Sequence, residues 1–283
     1  MTTQTKIITW NVNGIRSRIF NDKTSSQIKK IDIISPDETS HINKLITEHD
    51  PDIICIQETR CNTGYREKMI IPGYSSYFNE SKLTDARAAD RYSGTAIYYK
   101  ESMKMLNVDI NIPGYDDQEG RIIIIHFEEF IIVNVYAPNS GTNYEKKIAF
   151  INSMLKFLDS QEVPTIFCGD MNIAVDTHFD KTKVPPSPGT YKHELLFHDD
   201  LKLIGYIDSI SSEDEIIYTW WDLRHKKEDG LSMSRNRNMG WRLDYFFTRG
   251  FENNRMSSKS LKHIGENRFT PCASDHSPVL LTF

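Results

Sequence analysis

Thr165-Ile166-Phe167-Cys168-Gly169-Asp170-Met171-Asn172 is the stretch that decides the fold. A short apolar run without helical period, closed by Gly and polar residues, is the pattern of a strand buried on both faces. The pattern recurs. Lys6–Trp10 is followed by Asn11, and Asp52–Ile56 by Gln57-Glu58. Phe130–Tyr136 ends in a tyrosine, and Ser274-Asp275-His276 stands just before Pro278–Phe283. Gly94–Tyr99, Arg121–Phe127 and Leu243–Thr248 read as further strands, with Glu128-Glu129 as a hairpin connection.

Helical spacing is clearest over Asn143–Ser160, where Ile148, Ile151, Leu155 and Leu158 fall on one face. His193–Leu203, with Leu195, Leu196 and Leu201 available for packing, and Thr39–Glu48 are two more helices. Mixed strands and helices predict an α/β (α+β) fold with packed sheets inside and helices outside. Asn21–Pro36, Lys183–Gly189 and Arg224–Asn238 read as loops, none long enough to separate independent domains, so one domain over residues 1–283 is expected.

A chain of 283 residues with 39% hydrophobic content can bury a large core. No apolar run is long enough for a membrane span, and no targeting segment is apparent, so a soluble intracellular protein is expected. Cys55 and Cys168 lie in apolar runs, Cys61 and Cys272 lie apart, and no Cys-x-x-Cys occurs. Reduced thiols are expected and a zinc site is not. The net charge of −5 argues against DNA binding by bulk charge and shifts the question to local surfaces. The densest basic stretch is Arg224, Lys226, Lys227, Arg235, Arg237 and Arg242.

Polar residues at the ends of buried strands can converge on one rim of a sheet. Here they form a set of oxygen donors: Glu58, Asp170 and Asp275, with amide oxygens from Asn11 and Asn172. Such donors favour magnesium or manganese over zinc. His276 beside Asp275 adds an acid/base or phosphate-binding group, a combination suited to phosphodiester hydrolysis. Each piece alone has an ordinary explanation, such as a turn or a helix cap. The ordered set is the specific signal.

The chain carries in order Trp10-Asn11-Val12-Asn13-Gly14, Pro51-Asp52-Ile53-Ile54-Cys55-Ile56-Gln57-Glu58-Thr59, Tyr92-Ser93-Gly94, Gly120-Arg121 and Tyr136-Ala137-Pro138-Asn139. Gly169-Asp170-Met171-Asn172, Gly240-Trp241-Arg242-Leu243-Asp244-Tyr245-Phe246 and Ser274-Asp275-His276-Ser277-Pro278 follow. From about residue 6 onward the sequence resembles the exonuclease III / apurinic-apyrimidinic (AP) endonuclease branch of the endonuclease/exonuclease/phosphatase superfamily. The resemblance implies a four-layer α/β sandwich with two central, mainly antiparallel sheets flanked by helices.

For the site, the resemblance implies a metal set of Asn11, Glu58, Asp170, Asn172, Asp275 and His276, taking Mg2+ or Mn2+. Asp170 would activate the attacking water and Asn172 would orient it. His276, held by Asp244, would donate to the phosphate, and Tyr136 would contact it. Trp220, Trp241 and Leu243 match positions lining a pocket for a base-less sugar, with Asn139 and Arg242 as further substrate contacts. The implied partner is duplex DNA containing abasic sites, the implied product a 3′-hydroxyl 5′ to the lesion, and the implied state a monomer. A general DNase or an RNA-directed nuclease of the same superfamily stays open as an alternative, as does a 3′-exonuclease activity. Thr142 stands where some relatives carry a DNA-probing arginine, and Asp176–Gly189, Asn21–Pro36 and the long segment before Gly240 depart from the usual pattern.

Overall fold

The computed structural model describes residues 4–16, 40–61, 63–83, 92–141, 143–175, 186–209, 218–223, 233–251, 257–260 and 274–283. The expected loop Asn21–Pro36, Thr142, Cys272 and the basic residues Arg224, Lys226 and Lys227 lie outside them, as does most of Asp176–Gly189.

Strands β1 (Lys6–Asn11), β2 (Ile53–Gln57), β3 (Tyr74–Asn79), β4 (Thr95–Lys100), β11 (Ser257–Ser260) and β12 (Val279–Thr282) form one sheet, in the order β11-β12-β1-β2-β4-β3. Strands β5 (Met105–Asp109), β6 (Ile122–Phe127), β7 (Ile131–Tyr136), β8 (Thr165–Asp170), β9 (Ile207–Asp208) and β10 (Asp244–Arg249) form the other, in the order β5-β6-β7-β8-β10-β9. Each sheet has one parallel pair, β1 with β2 and β7 with β8, and is otherwise antiparallel.

The continuous apolar runs follow from burial on both faces. Ile7, Ile53, Cys55 and Ile97 of the first sheet meet Ile123, Ile125, Ile166 and Cys168 of the second in a shared core. The alternate residues point outward, Ile8, Ile54 and Ile56 on one side and Ile122, Ile124 and Phe167 on the other. Helix α1 (His41–His49) covers the first sheet through Ile42 and Leu45, after Ser40 caps it by accepting from Asn43 N at 3.0 Å. Helices α3 (Tyr144–Asp159) and α4 (Lys192–Leu203) cover the second. The layers run helix, sheet, sheet, helix, as the resemblance implied. Single turns α2 (Thr63–Arg66) and α5 (Met233–Asn236) complete the described helices.

Two helix faces differ from the expected ones. On α3 the buried line is Lys147, Phe150, Ile151, Met154 and Leu158, with Ile148 and Leu155 at its flank. On α4 the buried residues are Glu194, Phe197, His198 and Leu201, whereas Leu196 is exposed. In both cases aromatic and polar residues that find specific partners displace the most apolar stripe.

A polar bridge crosses between the sheets from β2 to β7. Gln57 donates to Thr9 Oγ1 at 2.8 Å and to Asn134 Oδ1 at 2.6 Å, and Asn134 donates to the carbonyls of Ile56 and Ala96. These bonds satisfy both amide nitrogens and Asn134 Oδ1. This bridge fixes β2 against β7 one residue before Glu58 and two before Tyr136.

Candidate active site

Register brings the strand ends together. Tyr136, Asp170 and Asp244 are direct neighbours across β7, β8 and β10. In the other sheet Asn11 pairs with Gln57 at the ends of β1 and β2, and β12 runs antiparallel to β1, so that His276 arrives at the same rim. The close approach of β8 to β7 depends on Gly169 (φ +128°), where a Cβ would stand 2.0 Å from the Val135 carbonyl oxygen.

The two sheets are joined at this rim by the segment Thr219–Trp221. Trp220 exchanges backbone hydrogen bonds with Trp241, Trp221 N donates to the Asp275 carbonyl, and Ser277 N donates to that of Thr219. Thr219 Oγ1 accepts from Leu243 N at 2.9 Å and Asp244 N at 3.1 Å. A cavity of about 550 Å³ opens above. Every expected site residue lines it except Asn11, Asp244 and Arg242.

Asn11 and Asp244 lie just beneath. Asn11 Nδ2 donates to Glu58 Oε1 at 3.0 Å and to Asp170 Oδ2 at 2.9 Å, tying the carboxylates of the two sheets together. Asp244 Oδ2 lies 2.8 Å from His276 Nδ1, which leaves Nε2 facing Asp170 Oδ2 at 3.8 Å. Arg242 does not join them. Its side chain is buried, pairs with Asp208 and stacks over Tyr245 at 4.6 Å, because the extended chain leading into β10 sends Trp241 and Leu243 to the cavity and the residue between them to the opposite side. The expectation that Arg242 contacts substrate is corrected on that ground.

The electrostatics follow from burial and neighbours. Burial alone would lower the His276 pKa, but Asp244 and then Asp170 raise it to about 10, so the ring is held as an imidazolium. Burial raises Asp170 to about 7, with Asp244 adding to the rise, while His276 and the hydrogen bonds from Asn11 and Asn172 N oppose it. Asp275 would also be raised by burial, but His276, Asn13 and Trp220 outweigh this and hold it below the usual carboxylate range. Asn13 Nδ2 donates to its Oδ1 at 2.9 Å and Trp220 Nε1 to its Oδ2 at 3.1 Å. Burial, then Glu58, pushes Tyr136 well up, so it is a neutral hydroxyl donor.

Asn172 is held in the left-handed region (φ +48°) by three contacts. Its N–H donates to Asp170 Oδ1, its Nδ2 to the Ala137 carbonyl, and its Oδ1 accepts from Asn139 Nδ2 at 3.2 Å. Several residues of the site were not anticipated. Arg60 grips Glu58 Oε2 through Nε at 3.0 Å and Nη2 at 2.5 Å. Arg121 is buried, ion-paired to Glu119, and lies 4.5 Å over the Tyr136 ring while donating to its carbonyl. Ser187, Pro188 and Gly189 form a wall facing Trp241. The quoted Gly120-Arg121 pair was the signal for Arg121; nothing local marked the other residues.

The donor chemistry suits a hard divalent cation. Asp170 and Asp244 offer carboxylate oxygens within 4.8 Å of each other, and the buried Asp244 Oδ1 has no hydrogen-bond partner, whereas His276 beside them is charged and offers no lone pair. Glu58 and Asp275 add carboxylates on the same cavity. Among the described residues Cys55 and Cys168 are buried between the sheets and Cys61 is buried in the core of the first sheet, so none of these thiols lines the cavity.

Comparison with known proteins gives a consistent picture. The chain is 30% identical to an exodeoxyribonuclease of Bacillus subtilis over 98% of both sequences. It is 29% identical to a DNA-(apurinic or apyrimidinic site) endonuclease of Dictyostelium discoideum, over 98% of this chain and 70% of that one. Among solved structures, a 3′-5′ exonuclease of Neisseria meningitidis superposes with a TM-score of 0.74 at 20% identity, covering 98% of each chain. An AP endonuclease of Archaeoglobus fulgidus gives 0.71 at 20% identity, covering 99% of each. The family match itself extends over residues 8–276, and with it the chain belongs to the endonuclease/exonuclease/phosphatase family.

Proposed function

We propose that the chain is a metal-dependent DNA repair nuclease that cleaves the phosphodiester 5′ to an abasic site in duplex DNA and leaves a 3′-hydroxyl. The observation that carries this reading is the meeting, on one cavity, of an acid/base centre (Asp170, His276) with an aromatic slot (Trp220, Trp241, Leu243). Hydrolysis of a phosphodiester needs the first, and exclusion of a sugar that still bears its base needs the second. A base-less nucleotide is also the cheaper one to turn out of a duplex. The names of the Bacillus and Dictyostelium relatives support nuclease chemistry on DNA.

In this reading Asp170 takes the proton of the attacking water, and its carboxylate is aimed by Asn11 and by Asn172 N. Asn172 orients that water. His276 donates from Nε2 to a non-bridging phosphate oxygen as charge builds, because Asp244 occupies Nδ1 and keeps the ring charged. Tyr136 donates its hydroxyl to the same phosphate, and Asn139 contacts the strand beside it. Glu58 and Asp275, with Asn11, Asp170 and Asn172 around them, would hold Mg2+, with Mn2+ as a substitute; His276, expected among the ligands from the sequence, is a charged ring paired to Asp244 and is left out of the set. A bound divalent cation would neutralise the phosphate and the leaving oxygen. The reading includes one domain, supported by the core the two sheets share, and a monomer. Among the described residues no helix is long and apolar enough to cross a membrane.

The test is an incision assay on duplexes with and without one abasic analogue, with product ends mapped. Magnesium-dependent cleavage 5′ to the lesion, abolished by EDTA, is the expected result. Equal rates on both duplexes would remove the abasic specificity and leave a general DNase. Cleavage indifferent to EDTA would remove the metal.

A further inference from the structure

The apolar face of α3 contains one charged residue, Lys147, in line with Phe150, Ile151, Met154 and Leu158. It is fully buried, and its ammonium donates to the Met171 carbonyl at 2.6 Å and more loosely to that of Asn172 at 3.5 Å. A buried ammonium is costly unless hydrogen bonds and nearby opposite charge offset its burial. Glu194 of α4, also fully buried, acts on it electrostatically without a direct ion pair. Its own oxygens accept from Ser140 Oγ at 2.6 Å and Tyr191 N at 2.9 Å. Two helices thus place opposite charges behind the turn that follows β8.

We infer that Lys147 is a positioning residue: its ammonium draws the carbonyls of Met171 and Asn172 inward, and so fixes the turn from which Asp170 and Asn172 face the cavity. The inference rests on the proposed nuclease reading and adds a residue to it. The turn is held through its N–H groups and the Asn172 side chain, which leaves the Met171 carbonyl to Lys147. Asn172 adopts φ +48°, a conformation that asparagine tolerates better than other side-chain-bearing residues and that turns the Met171–Asn172 segment sharply. Met171 N donates across to the Leu243 carbonyl, Ala174 N to that of Gly189 and Asn172 N to Asp170 Oδ1, so the N–H groups of the turn are already engaged away from Lys147. The inward carbonyls need a donor, and Lys147 supplies it. Leu or Met at this position would fill the space as well on an amphipathic helix, but would leave the Met171 carbonyl without this bond. The ammonium touches neither the cavity nor anything bound there.

The test compares Lys147→Met, Lys147→Arg and the charge-balanced double variant Lys147→Met/Glu194→Gln with the parent, measuring kcat and KM on the abasic duplex. Expected for Lys147→Met is a fall in kcat of about tenfold or more with KM within about twofold, the split for an interaction that aims groups instead of binding substrate. Lys147→Arg, which keeps a cation at this place, should recover most of it. In an Asn172→Ala background the loss should shrink to about threefold or less, because residues acting as one unit are not additive. An undiminished loss there would assign Lys147 a general structural role and overturn the inference. Amide exchange gives a readout independent of activity. Met171, Asn172 and Ala174 should exchange at least about tenfold faster in Lys147→Met while amides of β2 stay as they are. Unchanged exchange in the turn would overturn the inference even if kcat fell. If the parent does not incise abasic DNA, the nuclease reading fails, and the exchange measurement still decides the role of Lys147. The double variant covers the case in which an uncompensated Glu194 charge prevents Lys147→Met from folding.

Discussion

Asp170 and Trp241 line the same cavity but are held in different ways. Asp170 is the last residue of a strand paired on both sides, opposite Tyr136 and Asp244, and its carboxylate receives hydrogen bonds from Asn11 and Asn172. Trp241 stands outside the strands, fixed by a bridge to Trp220 and by contact with Gly189, where a Cβ would come within 3.0 Å of the indole. The floor is over-determined by sheet register. The wall depends on three segments far apart in the chain meeting correctly. Chemistry needs groups placed within fractions of an ångström, and regular structure provides that. Substrate choice varies between relatives more easily when it is left to loops.

The strongest way to break the comparison is at the floor. Asp170→Asn keeps the shape and removes the base, and turnover should fall at least ~10²-fold, the scale of losing one group aimed at the transition state. The same change should stabilise the metal-free protein at alkaline pH. The folded-state pKa of Asp170 is raised to about 7, above its unfolded value, so its contribution to stability is present at low pH and is lost as pH rises through 7. Melting curves in EDTA should show the variant gaining on the parent at pH 8 and little at pH 4. A lower melting temperature at pH 8 would mean the carboxylate stabilises the fold, and the buried-charge argument would fail.

Asp244→Asn acts on the floor at one remove. Without its carboxylate, burial pulls the His276 pKa down from about 10, and the imidazolium is lost as pH rises through the new value. Turnover should fall roughly tenfold near pH 6 and further at pH 8, towards the ~10²-fold or more of losing a donor aimed at the transition state altogether. The alkaline limb of the pH–rate profile should move to lower pH. A profile of unchanged shape would show that Asp244 does not hold the proton on His276.

How much of this could be read from the sequence divides along the same line. Asn11, Glu58, Tyr136, Asp170, Asp275 and His276 each follow or precede an apolar run, so strand periodicity located them and register brought them to one rim. Strands β3 and β5 were missed because they are edges whose exposed residues, such as Ser76 and Leu106, blur the pattern. β9 is two residues long and β11 short and polar, so neither gives a signal. The face of α3 was misread because Lys147 looks like a surface residue until the Met171 carbonyl is known to face it. Arg60 and the wall at Ser187–Gly189 depend on contacts that local sequence does not encode.

Trp241→Ala tests the wall. Opening the slot should leave turnover on the abasic duplex within a few-fold while its preference over undamaged DNA falls about tenfold, the usual worth of apolar shape discrimination. Loss of turnover to the extent seen for Asp170→Asn would merge wall and floor into one unit. Preference that survived intact would move the selectivity to the other side of the cavity, at Ser187 and Pro188.

The smallest effect on DNA should come from Arg242, which the sequence places among the basic residues of the pocket and the structure does not. Its guanidinium is buried against Asp208 and Tyr245, and Asp208 in turn lies 3.5 Å from His198 Nε2. Arg242→Met should therefore cost stability, about 3–5 kcal/mol for breaking a buried ion pair from one side. The backbone of residue 242 runs between Trp241 and Leu243, so a small rise in KM from loosening of the wall is expected. The salt dependence of DNA binding separates the two roles. A lysine or arginine that touches phosphate contributes about one unit to the slope of log affinity against log salt, and its removal lowers the slope by that much. An unchanged slope with a lower melting temperature assigns Arg242 to the layer that carries the wall. A slope reduced by about one unit would put its guanidinium on the DNA.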